Sequence, residues 1–287
     1  MDSLLSRLNS PYGDFVLDEA SGSYVYHVTN SHLLMQAAGY LKHTLAKTAQ
    51  CVVAFRGQVE LFDSLTPTLY RELTTQSSKE TADKAIGDYL ARIADDKAVL
   101  RAVGPDVREP LLQHYGVRTR WLDLVDNIWV ALWFGCYKAR CSGPTAQFLH
   151  FEQRAVRSNK EFVYVVMLNV PASTQKRERP GFWSGGDTEL VDLRVAAPSH
   201  FVRPHAQHGL LVRRARHNDH TRMDYSDLIV GVIRVSLFDA LLWLGSGGLT
   251  SVHSLFPPAT YDYGYGELLL RAPAGAAAVG AIQQVGA

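Results

Sequence analysis

The stretch QHYGVRTRWLDLVDNIWVALWFG, Gln113–Gly135, decides the fold because it changes character twice. Pro110–Tyr115 reads as a short helix. Gly116 is suited to end it, since glycine takes the left-handed backbone of a helix C-terminus without a Cβ penalty. Arg120–Leu124 reads as a short strand or turn. Asp126 or Asn127 then caps a helix carrying Trp129, Leu132, Trp133 and Tyr137, which Gly143-Pro144 breaks. A short apolar strand therefore ends in a carboxylate, Asp123, just ahead of a helix start.

Two flanking segments share this design. In VVAFRGQVELFDSLTPTLYRE, Val52–Glu72, an apolar run predicts a buried strand that ends at Arg56 and Gly57. A guanidinium leaving a core strand is costly unless something holds it. In RPHAQHGLL, Arg203–Leu211, Gln207 leads into a further strand. Polar groups at strand ends on one edge of a sheet line clefts. Two roles fit Arg56: a partly buried ion pair with Asp123, or a clamp on phosphate or ribose through its forked donors. Tyr115 and Trp121 are either core or stacking platforms. Arg120 suits a salt bridge to a carboxylate.

Elsewhere, Asn30 or Ser31 caps a helix to about Thr48, with Leu34, Ala37, Ala38, Leu41 and Leu45 at helical spacing. Lys79–Val103 reads as a helix. Val25–Val28, Gln147–Glu152, Glu161–Val170, Val191–Val195, Gly209–Arg213 and Leu228–Val235 read as strands. FVYVVMLNV, largely β-branched or aromatic, belongs inside a sheet. Leu237–Leu244 is a helix closed by Gly245-Ser-Gly-Gly. Long helices dominate the first half and strands the second. The expectation is one α+β domain, a mixed β-sheet core with a helical N-terminal portion, over residues 1–260. Residues 261–287 form a C-terminal extension with a flexible Ala/Gly-rich tail.

The chain of 287 residues carries a net charge of +1, so no global field recruits nucleic acid. The basic runs Arg213–Arg216 and Lys176–Arg179 read as solvated loops. Three cysteines form no paired framework, and the stretch MDSLLSRLNSPYGDF reads as too polar and too short in apolar length for a signal peptide. The longest apolar run, IWVALWFGCY, is ten residues, too short for a membrane span. The expectation is a soluble cytoplasmic protein. No phosphate-cradling P-loop, dinucleotide fingerprint or nucleophile elbow is present. His200, His205, His208, His217 and His220 match no zinc spacing.

Together the three segments resemble the FRG domain family. Phe55-Arg56-Gly57 is its eponymous motif, QHYG…RTRWLD…ALWFG resembles its middle motif, and Arg203-x-x-x-Gln207-x-Gly209 its third, the resemblance spanning roughly residues 26–258. That family's motif order is similar to that of ADP-ribosyltransferases, which implies an ADP-ribosyltransferase-like fold and NAD as substrate. On this resemblance Arg56 holds the nicotinamide-side ribose and phosphate. Gly57, Gln58, His114, Tyr115, Thr119 and Arg120 complete the NAD-binding set, and Asp123 and Gln207 join Arg56 in catalysis. Ala131–Phe134 lies on the helix after the second strand. The implied partners are a macromolecular acceptor and an antitoxin or defence-system protein. The departures are specific. Gln207 stands where that superfamily has a catalytic glutamate, and Leu122-Asp123-Leu124-Val125 replaces a hydroxyl-rich strand. Asp123 is the residue that can restore the charge; Glu189 and Glu267 are other carboxylates without a place. The alternatives are a nucleotide- or nucleic-acid-binding module without turnover, and a protein in which Arg56 only holds the fold.

Overall fold

The structure, a computed structural model, describes residues 4–8, 13–47, 50–95, 100, 102–175, 179–214, 223–245 and 250–286. Parts of the basic clusters, His217 and His220, residues 96–99 and 101 of the expected Lys79–Val103 helix and residues 246–249 lie outside them, while Leu100, Ala102 and Val103 are turn or bend rather than helix. The strands are β1 (Gly13–Asp18), β2 (Ser23–Val28), β3 (Cys51–Gln58), β4 (Leu122–Val125), β5 (Tyr137–Ser142), β6 (Phe148–Gln153), β7 (Phe162–Pro171), β8 (Thr174–Gln175), β9 (Phe182–Gly185), β10 (Thr188–Asp192), β11 (Gly209–Arg214), β12 (Ile229–Ser236) and β13 (Gln284–Gly286). The helices are α1 (Ser31–Ala46), α2 (Gln76–Asp95), α3 (Pro105–His114), α4 (Ile128–Cys136), α5 (Leu193–Ala196), α6 (Val202–Ala206), α7 (Leu237–Leu244), α8 (Val252–Leu255) and α9 (Tyr263–Arg271).

Ten strands form one sheet in the order β1-β2-β12-β7-β3-β4-β11-β10-β9-β8. All its neighbours are antiparallel except β2 and β12. The fold is α+β with a mixed, mostly antiparallel sheet. The N-terminal portion is not a helical block: β1, β2 and β3 are strands of this sheet, and the helices are spread along the chain. Arg56 is not past the end of its strand. It lies within β3, opposite Val166 of β7. Helix α4 stops at Cys136, before the expected break, because Tyr137–Ser142 pairs with β6 in a hairpin. Arg154 closes the helix: its guanidinium donates to the Gly135 carbonyl at 2.9 Å and its backbone N–H to that of Cys136 at 2.9 Å.

Strand alternation splits the core. On one face, Phe55, Val125 and Val163 pack against α1, α4 and α7. Further along, Trp121, Val191 and Leu211 pack against α2, α3 and α9. On the other face, Ala54, Leu124 and Leu168 meet Leu65 and Tyr225 from connecting segments. The final residues are tied to the body. Arg118 N–H donates to the Val279 carbonyl at 2.8 Å, Gln283 N–H to that of Tyr115 at 2.7 Å, and β13 pairs with β6.

One crossing sets the spacing of α4 and β3. A Cβ on Gly57 would lie 1.7 Å from the Ala131 carbonyl oxygen, and one on Gly135 would lie 2.2 Å from Val163. The helix backbone therefore rests directly on the strand, which only Gly57 allows. Gly57→Ala is expected to cost about 3 kcal/mol in chemical denaturation, as overpacking against backbone that cannot retreat. Gly87 in α2 has nothing within 4 Å of its Cβ position. Gly87→Ala should therefore raise stability by about 1 kcal/mol.

Candidate functional site

Strands β3 and β4 are paired at a single position, Phe55 opposite Val125. Beyond it they part, and the Arg56 side chain occupies the gap. Its Nη1 donates to the Asp123 backbone carbonyl at 2.6 Å, which supplies that carbonyl with the partner a neighbouring strand would otherwise provide. Among the described residues Arg56 makes no ion pair with the Asp123 carboxylate, and its Nε is enclosed without a partner. Burial lowers the basicity of the guanidinium, Asp123 raises it, and Arg71 lowers it again. Arg56 borders two hollows. One, of about 140 Å³, also holds Asp123, Phe134, Tyr137 and Phe151. The other, of about 260 Å³, lies under residues 62–66 and includes Gln58 and Arg71.

Behind Asp123 runs a polar chain. His114, the last residue of α3, is buried, with Nδ1 3.0 Å from Gln207 Oε1. Gln207 Nε2 donates to the Leu255 carbonyl at 2.8 Å. A carbonyl can only accept, so the amide orientation is determined, and with it the proton on His114 Nδ1. The other ring nitrogen faces Asp123 Oδ1 at 3.4 Å, with both atoms buried. Asp123 is 35% exposed, so its solvent contact lies on the rest of the carboxylate, toward the hollow. Burial lowers the His114 pKa first of all, Asp123 and the Gln207 hydrogen bond pull it back, and Arg203 lowers it further. Gly209 makes room for the ring: a Cβ there would lie 2.5 Å from His114 Cε1. The result is an acceptor nitrogen beside a carboxylate, an arrangement able to take and hold one proton.

Arg203 fixes the other side of His114. It is fully buried, and its Nη1 donates to the His114 carbonyl at 2.7 Å. Its guanidinium lies over Tyr115 at 4.6 Å and Tyr265 at 4.5 Å. Fully buried Asp262 accepts from the Tyr115 hydroxyl at 2.8 Å and from the Arg203 backbone N–H at 3.0 Å. Sequence reasoning quoted Arg203 without giving it a role. The available signal was its place four residues before Gln207, which brings both onto one short helical turn.

The residues singled out in the sequence thus divide by depth. Arg56 and Asp123 reach the small hollow together. Gln207, 3% exposed, borders none of the described hollows and acts through His114. Gly57 serves the α4 crossing. Thr119 is buried; its hydroxyl donates to Gln113 Oε1 and accepts from the Trp121 N–H at 3.2 Å. Arg120 is held by Glu109 at 2.9 Å and 3.1 Å. Tyr115 and Trp121 are core, the latter beneath Arg213. Glu189 pairs with Arg213, and Glu267 with Arg271.

Residues 52–142 match the FRG domain family model, which takes in Arg56, His114, Asp123 and α4. No curated protein and no solved structure matches the chain. No helix among the described residues is long and apolar enough to cross a membrane.

The buried histidine predicts an acid-sensitive fold. Folding makes His114 harder to protonate, so its contribution is present above the unfolded value of about 6.5 and is lost as pH falls below it. His114→Gln should therefore show a smaller fall in melting temperature than the wild type between neutral pH and the mid-fives. His27 and His208, also depressed by burial, remain in both proteins. The difference between the two curves isolates His114.

Proposed function

We propose that this FRG-domain protein cleaves the nicotinamide–ribose bond of NAD and transfers the ADP-ribose, as ADP-ribosyltransferases do. The observation that carries the reading is the convergence of Arg56 and Asp123, from two parting strands, on one hollow of about 140 Å³. That volume is far too small for a whole dinucleotide, so the hollow would take only the reacting end of NAD. Asp123 is the sole carboxylate among the described residues lining it.

The proposed chemistry follows. Arg56 clamps a phosphate or ribose oxygen at the mouth. The glycosidic bond breaks with its electron pair leaving on nicotinamide, whose ring nitrogen loses its positive charge. The ribose carbon becomes oxocarbenium-like beside the Asp123 carboxylate, whose charge stabilises it. The acceptor attacks that carbon and gives up its proton to Asp123, with His114 Nε2 behind it to receive the proton. Gln207 holds the imidazole in the required tautomer, so an uncharged side chain suits that position. The kinship with ADP-ribosyltransferases in fold is part of the proposal, argued by analogy. So are a cytoplasmic setting, a toxin or defence role with a cognate antitoxin, and a macromolecular acceptor.

The second reading is a module that binds a nucleotide or nucleic acid without turnover. The observation favouring it is that Gln207 carries no charge and does not reach the hollow.

Incubation with NAD labelled in the nicotinamide decides between them. Release of free nicotinamide is expected. Asp123→Asn should lower it by about 100-fold while the protein stays folded. Arg56→Lys should weaken NAD binding by about tenfold, because an ammonium lacks the forked donors. NAD that binds and is recovered intact supports the second reading. Absence of both binding and release overturns the first reading and removes NAD as the ligand of the second.

A further inference from the structure

The largest of the three hollows described here lies away from the Arg56–Asp123 pocket. It measures about 670 Å³, within the range of small-molecule sites. Its walls are α2, the segment around Leu69–Leu73, the connection from α3 to β4, and the C-terminal segment near Ala277–Gln283. Leu69, Leu73, Ala82 and Val117 make part of it apolar.

Three side chains bring donors to this hollow. Arg71 and Arg118 both line it, and among the described residues neither guanidinium has a hydrogen bond or an ion pair. Their charges oppose each other: Arg118 lowers the basicity of Arg71, after burial and against the pull of Glu72. Gln113 adds an amide. Its oxygen is occupied by the Thr119 hydroxyl, which leaves the N–H groups as its free side. One carboxylate, Glu72, is also on the wall, without an ion pair to either arginine among the described residues. Two unpaired guanidinium groups and an amide donor on one cavity are the complement of a phosphate group. The apolar wall is the complement of a planar or apolar body attached to it. The C-terminal segment fixes this wall, since the Arg118 backbone N–H is held by the Val279 carbonyl at 2.8 Å.

We propose that this cleft is a second binding site, for a nucleoside phosphate, with Arg71 and Arg118 on the phosphate and the Leu69–Leu73 wall against the base. The proposal does not rest on the NAD reading. Arg118 borders this hollow alone among those described here, whereas Arg71 also borders the 260 Å³ hollow beside Arg56.

Calorimetric titration of the full chain with ADP tests it. The wild type should bind ADP. Arg118→Gln and Arg71→Gln should each weaken binding by about tenfold with unchanged melting temperature, since neither side chain is used in the fold. Arg56→Lys should bind ADP as the wild type does. Adenosine and inorganic phosphate should each bind at least about tenfold more weakly than ADP. The proposal is overturned if ADP does not bind at millimolar concentration, or if its affinity ignores Arg118→Gln. It is also overturned if Arg56→Lys abolishes binding, or if adenosine or phosphate alone binds as tightly as ADP.

Discussion

The approach of the α4 backbone to β3 at Gly57 is the constraint on which the site depends. With a carbonyl oxygen 1.7 Å from where a Cβ would stand, no other residue fits without moving the helix or the strand. Ala131 and Gly135 extend the contact on the helix side, so an element of nine residues gains a firm seat on the sheet without long interdigitating side chains. The short connection between β4 and α4 then ties β4 to the same helix. Because β4 leads directly into α4 and pairs mainly with β11, it shares just one position with β3. The gap that results is where Arg56 lies. In the Phe-Arg-Gly motif, the glycine sets the distance and the arginine fills the opening.

The polar chain from Leu255 through Gln207 and His114 to Asp123 has a direction. Its first member can only accept, so every later donor and acceptor role follows. A glutamate in place of Gln207 would set a carboxylate against the Leu255 carbonyl and leave one acceptor unpaired in the interior, a cost of about 1–3 kcal/mol or more. Gln207 is thus a residue required for having both a donor and an acceptor. Its lack of charge, which weakens the likeness to a catalytic glutamate, is what the local hydrogen bonding demands. Arg203 works from the other side with a similar economy: it satisfies the carbonyl of His114, and aromatic rings replace a carboxylate as its surroundings.

Local chemistry made much of this legible in the sequence. Helix α1 begins where Asn30 caps it, through a hydrogen bond from the His32 N–H at 2.8 Å, and α7 runs between the expected limits. The β-branched run of β7 lies inside the sheet, as its composition demands. Strand β1 and the hairpin of β5 and β6 were not legible in full, because half-exposed strands carry weak alternation and their partners decide them. Of the site, Arg56 and Asp123 were legible as polar groups at the margins of apolar runs. That Gln207 sits one layer back was not, nor was Arg203, whose bond to His114 spans 89 positions of the chain. Spacing along a chain says which side chains share an element. It does not say which of them lies in front.

Arg71 is a wall shared by two hollows, and it carries a single charge. Any anion that draws this guanidinium toward itself on one side withdraws positive potential from the other, where Arg56 is then relieved of a repelling neighbour. A charge shared in this way is a physical link between the two hollows through the field. Such a link needs no hinge, lid or rearranged strand, and it weakens as ionic strength rises.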